Sequence, residues 1–263
     1  MNALALNPLD SLAPTPHMLP AYLAEIRCEF MRTLRNPALA FPILLLPVGL
    51  YALFAAVIFG AAITKDPSTG TFLFCAFGIM AVTMPALFSI GAGLAMEREM
   101  GLLKLKRAQP APAGSWLVAK IVAGFGLGLV AYLPLLAVAV LTGKLPLDAA
   151  HIVAVSGVLL AGAIPFCALG LMVGTLVSGS AAPGYANLIY LPGCYLSGMF
   201  FPLPASMYWQ APIWPQFHVV QLAMHAADAA KFQFMSVQMS LAALAGFTIL
   251  FSGVAIFRLA RKG

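Results

Sequence analysis

The chain has 263 residues, 62% of them hydrophobic and 8% charged, and a formal net charge of +6. Soluble domains carry about 25% charged residues, so this composition excludes a water-soluble fold and indicates a membrane protein. The basic residues lie near the ends of apolar segments, as they do in cytoplasmic loops of membrane proteins. We therefore expect membrane lipids, and no nucleic acid, among its partners.

The N-terminal region is expected to combine a loose tail with one helix. Residues 1–18 contain three prolines and no basic stretch typical of a cleaved signal peptide. In residues 19–36 apolar residues recur every four positions, with Glu25 and Glu29 on the other side, which predicts an amphipathic helix lying along the membrane surface. An ordinary soluble helix would have little to pack against here. The residues assigned to this interfacial helix are Tyr22, Ile26, Phe30, Arg32, Leu34 and Arg35.

Six apolar segments follow, each close to the ~20 residues that a membrane-spanning helix needs. They lie at 38–63, 72–96, 116–141, 151–177, 185–201 and 236–257, so residues 37–263 are expected to form one transmembrane domain. Six spans put both termini on one side of the membrane. That side then holds eleven of the fourteen Lys and Arg residues, which predicts cytoplasmic termini.

The densest group of charges lies between the second and third spans, at residues 97–113. Its acidic residues come first and its basic residues follow, an order that suits a short helix with its own dipole. Two interpretations stay open: a stiff helix that transmits force from an attached partner to both spans, or a charged loop that only sets topology. The residues singled out here are Glu97, Arg98, Glu99, Gly101, Lys104 and Arg107.

Residues 203–235 are too interrupted by proline and charge to form a seventh span. Trp209 and Trp214 are amphipathic aromatics of the kind found at membrane interfaces. We expect the segment to dip into or lie on the outer leaflet, with a helix from Pro215 to about Phe232. Irregular backbone at membrane depth must be covered by protein or water, which suggests that the segment caps a pathway.

The chain lacks the residues that ion-driven transport, ATP binding and hydrolysis need. The spans hold no Asp, Glu, Lys or Arg at mid-membrane depth, which disfavours an ion-driven carrier. No phosphate-binding loop with its lysine and no hydrolase motif is present, so we expect no catalysis, no metal and no cofactor in this chain. His218, His225 and Asp228 could share a helix face and bind a metal, although ordinary hydrogen-bonded histidines are favoured.

Small residues recur at four-residue spacing in two spans. Gly124, Gly126 and Gly128 lie in the third span, and Gly170 and Gly174 lie in the fourth. Such spacing lets helices approach closely. Packing inside the bundle is the expected use, with a subunit interface as the alternative.

Three sequence patterns together resemble the permease subunits of type 2 ABC (ATP-binding cassette) transporters. The first is Arg35-Asn36-Pro37 after the amphipathic helix. The second is the run from Glu97 to Pro110 with Lys120 after it, although Gln109 stands where the family usually has threonine. The third is the run from Leu196 to Pro202, followed by Trp214-Pro215.

The resemblance implies an all-α polytopic membrane protein with six transmembrane helices, an N-terminal interfacial helix, a cytoplasmic coupling helix at 97–113 and outer-leaflet re-entrant helices at 203–235. It implies a bacterial inner-membrane exporter that pairs with a second permease copy or a homologous permease. A cytosolic ATPase subunit would bind ATP and magnesium. The residues that the resemblance places at the re-entrant segment are Ser197, Gly198, Pro202, Trp214 and Pro215.

In this interpretation Glu97, Arg98 and Glu99 contact the ATPase, with the interfacial helix in support. An amphipathic, lipid-like or drug-like substrate would pass between two copies, along the second and fifth spans. Candidate lining residues are Met84, Phe88, Tyr190 and Tyr195, with a role in the bundle core as the alternative. Two other functions stay open: a membrane-embedded enzyme and a non-transporting assembly factor.

Overall fold

The computed structural model describes residues 18–108 and 114–262, and every regular element in these ranges is helical. The predicted tail at 1–18 lies outside them, except for Met18. A π-helical stretch, Leu53–Ile58, continues α2, and two 3₁₀ helices, Ala205–Ile213 and Ala230–Phe232, flank α10. The α-helices are α1 (Met18–Leu34), α2 (Pro37–Ala52), α3 (Gly60–Lys65), α4 (Ser68–Glu99), α5 (Leu102–Ala108), α6 (Ser115–Leu141), α7 (Ala149–Ala161), α8 (Ala163–Leu176), α9 (Ala182–Leu196), α10 (Pro215–Ala226) and α11 (Val237–Lys262).

Within the described residues, five helical segments are long and apolar enough to cross a membrane. Two of them join consecutive helices: the first runs from α2 into the π-helical stretch, and the fourth combines α7 with α8. The fold is thus an all-α membrane bundle, as the sequence predicts. The five segments are Ala40–Ile58, Ser68–Glu99, Ser115–Leu141, Ala149–Leu176 and Val237–Arg261.

The fifth predicted span, 185–201, differs from the structure. α9 has 15 residues and is about 22 Å long, shorter than the ~30 Å hydrocarbon core. Ala182, at its start, packs with Ala95 near the end of α4, and Phe200 packs on Phe77 in the first half of α4, with ring centroids 5.6 Å apart. This segment therefore runs along most of α4, but only its first part is helical, because Gly198 adopts a φ of 72° and breaks the helix.

α4 is the central helix of the bundle, and glycines let its neighbours approach its backbone. A Cβ on Gly170 of α8 would lie 2.8 Å from the Leu87 carbonyl oxygen, and one on Gly174 would lie 2.9 Å from that of Gly91. On α6, a Cβ on Gly128 would lie 3.2 Å from the Val82 carbonyl oxygen. The predicted packing role of these glycines inside the bundle is confirmed.

The predicted re-entrant helix begins at Pro215, as expected, but it ends earlier than the sequence indicated. α10 stops at Ala226, and Asp228 then takes a φ of 50° that turns the chain away. The first residues of α10 are buried, and the helix contacts α4, α7 and α11. The segment is thus packed into the bundle on several sides.

One side chain of α10 supplies hydrogen bonds to the irregular backbone that follows it. Gln221 is buried, and its Oε1 accepts from the backbone N–H groups of Phe234 at 2.7 Å and Met235 at 3.2 Å. Its Nε2 donates to the Phe232 carbonyl at 3.3 Å. An unpaired backbone group in an apolar environment would cost several kcal/mol, so Gln221 stabilises the turn there.

Candidate functional site

The apolar side of α1 packs along α6. Phe30 lies over Gly126, where an added Cβ would be 3.2 Å from the ring. Tyr22, Ile26 and Leu34 are half-buried. On the opposite side of α1, Arg27 and Arg35 are exposed, whereas the side chain of Glu29 is only 5% exposed. Glu29 is buried because it meets charged partners, most of them on other helices.

Those partners form one group, the ionic cluster, which joins α1, α4, α5 and α6. At its centre, Nζ of Lys120 donates to Glu29 Oε1 at 2.9 Å and to Glu97 Oε1 at 2.8 Å. Arg32 pairs with both of the same carboxylates. Lys106 lies 3.3 Å from Glu29 and 3.4 Å from Glu25. The members of the cluster are Glu25, Glu29, Arg32, Glu97, Lys106 and Lys120.

Three carboxylates face three cations, so the ionic cluster is neutral as a whole. Burial alone would raise the pKa of Glu29, but Lys120, Arg32 and Lys106 together hold that pKa below its ordinary value. Burial would lower the pKa of Lys106, but the surrounding glutamates raise it. Both groups therefore stay charged near neutral pH. Buried charges persist only with such partners, so the cluster fixes the four helices in one arrangement.

The predicted short helix starting at Glu97 is not what the structure has. Glu97, Arg98 and Glu99 are the last residues of α4, and the chain breaks at Gly101, whose φ is 72°. A helix C-terminus disfavours acidic residues. Glu97 is stable there because it is 4% exposed and surrounded by the cations of the ionic cluster.

Arg98 and Glu99 tie the end of α4 to the end of α8. Arg98 donates to the carbonyl oxygens of Gly174 at 3.0 Å and Val177 at 2.9 Å, which are among the last, otherwise unpaired carbonyls of that helix. Glu99 Oε2 accepts from the Gly179 N–H at 2.6 Å. All three acidic and basic residues assigned to ATPase contact thus have partners within the chain.

The short helix α5 is the part of the predicted coupling segment that faces outward. Leu103 is buried and anchors it, while Lys104 is exposed and Leu105 is 62% exposed. Met100, in the turn before it, is 64% exposed. The side chain of Arg107 and residues 109–113 lie outside the described part of the chain.

The four candidate pathway residues divide into two groups. Met84, Phe88 and Tyr190 are buried within the chain; Phe88 and Tyr190 contact edge to face at 6.1 Å, and the Tyr190 hydroxyl lies 2.7 Å from that of Thr83. Tyr195 is 57% exposed on α9. Only Tyr195 is therefore accessible from outside this chain.

The two histidines considered for an enzymatic function form hydrogen bonds with backbone carbonyl groups. Nε2 of His218 lies 2.9 Å from the Pro212 carbonyl oxygen, and Nε2 of His225 lies 2.8 Å from that of Met235. Among the described residues, no three His, Cys, Asp or Glu side chains are grouped to hold a metal ion. Both histidines fasten the re-entrant segment and are not arranged around a common centre.

The model of the ABC-2 type transporter family matches residues 21–230, which is more than half of the chain. The chain therefore belongs to this family of membrane transport components, and it is a multi-pass membrane protein. The match includes the ionic cluster, α5 and α9. A comparison with curated proteins found no match.

The sequence points to Glu97 and Lys120 but does not show that they meet Glu29 and Arg32. A signal existed: Lys120 is the sixth residue of α6, and a cation inside a span requires an acidic partner. Glu29 is separated from it by 91 positions, so the choice of partner could not be made from local spacing.

Gly93 gives the first testable prediction, because Arg32 passes over it. A Cβ at position 93 would overlap the Arg32 guanidinium, so we expect Gly93→Ala to displace Arg32 from the ionic cluster. Loss of such a charged hydrogen bond costs about 1.5–3 kcal/mol, which exceeds the roughly 0.5–1 kcal/mol that alanine gains over glycine inside a helix, so the thermal unfolding midpoint in detergent should fall.

Two comparisons decide whether the clash with Arg32 causes the destabilisation expected for Gly93→Ala. In an Arg32→Ala background, Gly93→Ala should cost little, because the clashing group is gone. Gly246→Ala, at a helical glycine with open space around its Cβ position, should not destabilise the chain. An equal loss in both backgrounds would contradict this explanation.

Proposed function

We propose that this chain is the transmembrane permease subunit of an ABC exporter in a bacterial inner membrane, driven by a separate cytosolic ATPase that binds ATP and magnesium. Its substrate is an amphipathic, lipid-like or drug-like molecule moved out of the cytoplasm or the inner leaflet. Both termini are cytoplasmic, since this places most of the basic residues inside; the sixth crossing that this requires is made by α9 together with the chain up to Phe200, which lies along most of α4. Family membership is the starting point of the proposal.

The observation that carries the proposal is the ionic cluster. It joins α1 and α5 to the end of α4 and the start of α6, so displacement of α5 moves two membrane-spanning helices together. Arg98 and Glu99 extend the connection to α8. A push on α5 therefore reaches three spans through charged contacts, without any ion-handling group at mid-membrane depth.

Within this proposal, the residues of 97–113 have two different roles. Glu97, Arg98 and Glu99 transmit motion inside the chain, because their charged groups are already paired. The ATPase contact falls to the outward residues Lys104 and Leu105. An exposed apolar side chain such as Leu105 suits the buried core of an interface, and a charged one such as Lys104 suits its polar rim.

The substrate path is proposed between this chain and a second permease. Residues lining such a path must face out of the chain, which removes Met84, Phe88 and Tyr190 and keeps Tyr195. Tyr185 and Leu188 are also exposed on α9, 51% and 68% respectively, and share its open side. An aromatic and apolar surface of this kind suits an amphipathic substrate.

The test replaces the outward side of α5 without touching the ionic cluster. In the double variant Lys104→Glu, Leu105→Asp, we expect at least a tenfold loss of the ABC ATPase that copurifies with the chain from native membranes, identified by mass spectrometry. ATP-dependent transport should fall with it. The reason is that burying an unpaired carboxylate in an interface costs several kcal/mol.

A matched control is available at the far end of α6. Leu141 is 85% exposed, so Leu141→Asp together with Lys144→Glu makes the same two residue changes at a site away from α5. These changes should leave copurification intact. Unchanged ATPase recovery with the α5 double variant would refute the docking assignment.

A further inference from the structure

A cavity of about 420 Å³ lies at the end of the bundle opposite the ionic cluster, between the start of α4 and the segments 200–202 and 231–234. More than half of the residues around it are phenylalanines. The π faces of such rings carry negative potential and attract cations. The phenylalanines that line the cavity are Phe59, Phe72, Phe200, Phe201, Phe232 and Phe234.

A cation of the chain itself sits at the edge of this cavity. Lys231 lines it, and its Nζ lies 5.5 Å from the ring centroid of Phe232. The same Nζ donates to Asp66 Oδ2 at 2.6 Å. Hydrogen bonds from Lys231 and Ser68 lower the pKa of Asp66 to about 2, so the carboxylate is charged at neutral pH.

We propose that this cavity is a binding site for hydrophobic organic cations, and that the Lys231 ammonium occupies the place of the ligand's charged group. The Lys231 side chain is 63% exposed and flexible, so it can move into solvent and leave Asp66 and Phe232 to the ligand. The ligand's apolar body then fills the space between the phenylalanine rings.

The arrangement selects for charge. Asp66 does not line the cavity itself but lies beside the position of the Lys231 ammonium, so an anionic group at that position would be repelled by its carboxylate. A neutral molecule of the same shape would gain neither the ionic contact nor the attraction of the ring faces. Clustered aromatic side chains are a known means of binding quaternary ammonium groups. A hydrophobic cation therefore gains both interactions in this cavity.

The test measures binding of benzyltrimethylammonium to the full chain in lipid nanodiscs by equilibrium dialysis, with empty nanodiscs as background. Lys231→Met removes the competing ammonium, so we expect about tenfold tighter binding, and Asp66→Asn should weaken it about tenfold. Lys65→Met is the matched control: Lys65 is exposed and adjacent to Asp66, but unlike Lys231 it neither lines the cavity nor pairs with Asp66. Its affinity should equal that of the wild-type chain.

A second ligand makes the test independent of any variant. Neopentylbenzene has the same shape as benzyltrimethylammonium without the charge, so the wild-type chain should bind it at least tenfold more weakly. Equal binding of the two ligands, or no gain in affinity with Lys231→Met, would overturn the proposal. Because this binding needs no ATPase, its failure would leave the proposed transport role intact, and loss of ATPase copurification would leave the binding intact.

Discussion

Lys120→Met should destabilise the chain by about 3–5 kcal/mol, the cost of removing one member of a buried ion pair. Lys120 is 2% exposed and binds Glu29 and Glu97 at once, so its loss leaves two buried carboxylates short of a partner. A lower thermal unfolding midpoint in detergent micelles would show this. Transport should be lost as well, since α1 and α6 are no longer joined through this contact.

Two further variants test whether the lost charge of Lys120 causes the destabilisation. Lys104→Met removes the same charge from an exposed position and should change stability by no more than about 0.5 kcal/mol. Adding Glu97→Gln to Lys120→Met removes one of the uncompensated carboxylates and should restore part of the lost stability. If Lys120→Met unfolds at the wild-type temperature, the ionic cluster does not hold the helices together.

Gly170→Ala should destabilise the contact between α8 and α4 by about 1–3 kcal/mol, the usual cost of overpacking. The new Cβ would lie 2.8 Å from the Leu87 carbonyl oxygen and 3.1 Å from that of Ala86. These atoms belong to the backbone of the central helix, so no side chain can rotate to relieve the clash. The unfolding midpoint in detergent again measures the effect.

Gly157→Ala is the control for this substitution. Gly157 lies in α7, and nothing is within 4 Å of its Cβ position. Alanine there should stabilise the helix by about 0.5–1 kcal/mol, because it has less conformational freedom to lose on folding. The two substitutions are therefore expected to have opposite signs, and the same sign for both would contradict the packing explanation.

The spans could be predicted because their physics is local. A run of about 20 apolar residues is stable in lipid wherever its neighbours are, and α4, α6 and α11 were located within a few residues for this reason. The start of α10 was predictable for an equally local reason, since Pro215 suits the first position of a helix. The fifth span was less predictable: its helix ends at a positive-φ glycine that apolar composition does not reveal.

The roles of the charged residues depended on distant partners. The sequence suggested that Glu97 makes an exposed contact at a helix start, whereas the structure has it in a buried contact at a helix end. The difference comes from Glu29, Arg32 and Lys120, which lie 68, 65 and 23 positions away from Glu97. The position of Lys231 beside Asp66, 165 positions away, was likewise not predictable.

The sequence by itself determined that this is a membrane protein, where five of its six predicted spans lie, and which loops carry its charge, because apolar length and the distribution of basic residues act segment by segment. Only the tertiary structure decided which charges meet, which glycines touch α4 and which side of α5 is open. Those outcomes depend on how whole helices pack, and one helix packs against another through residues that are far apart in the chain.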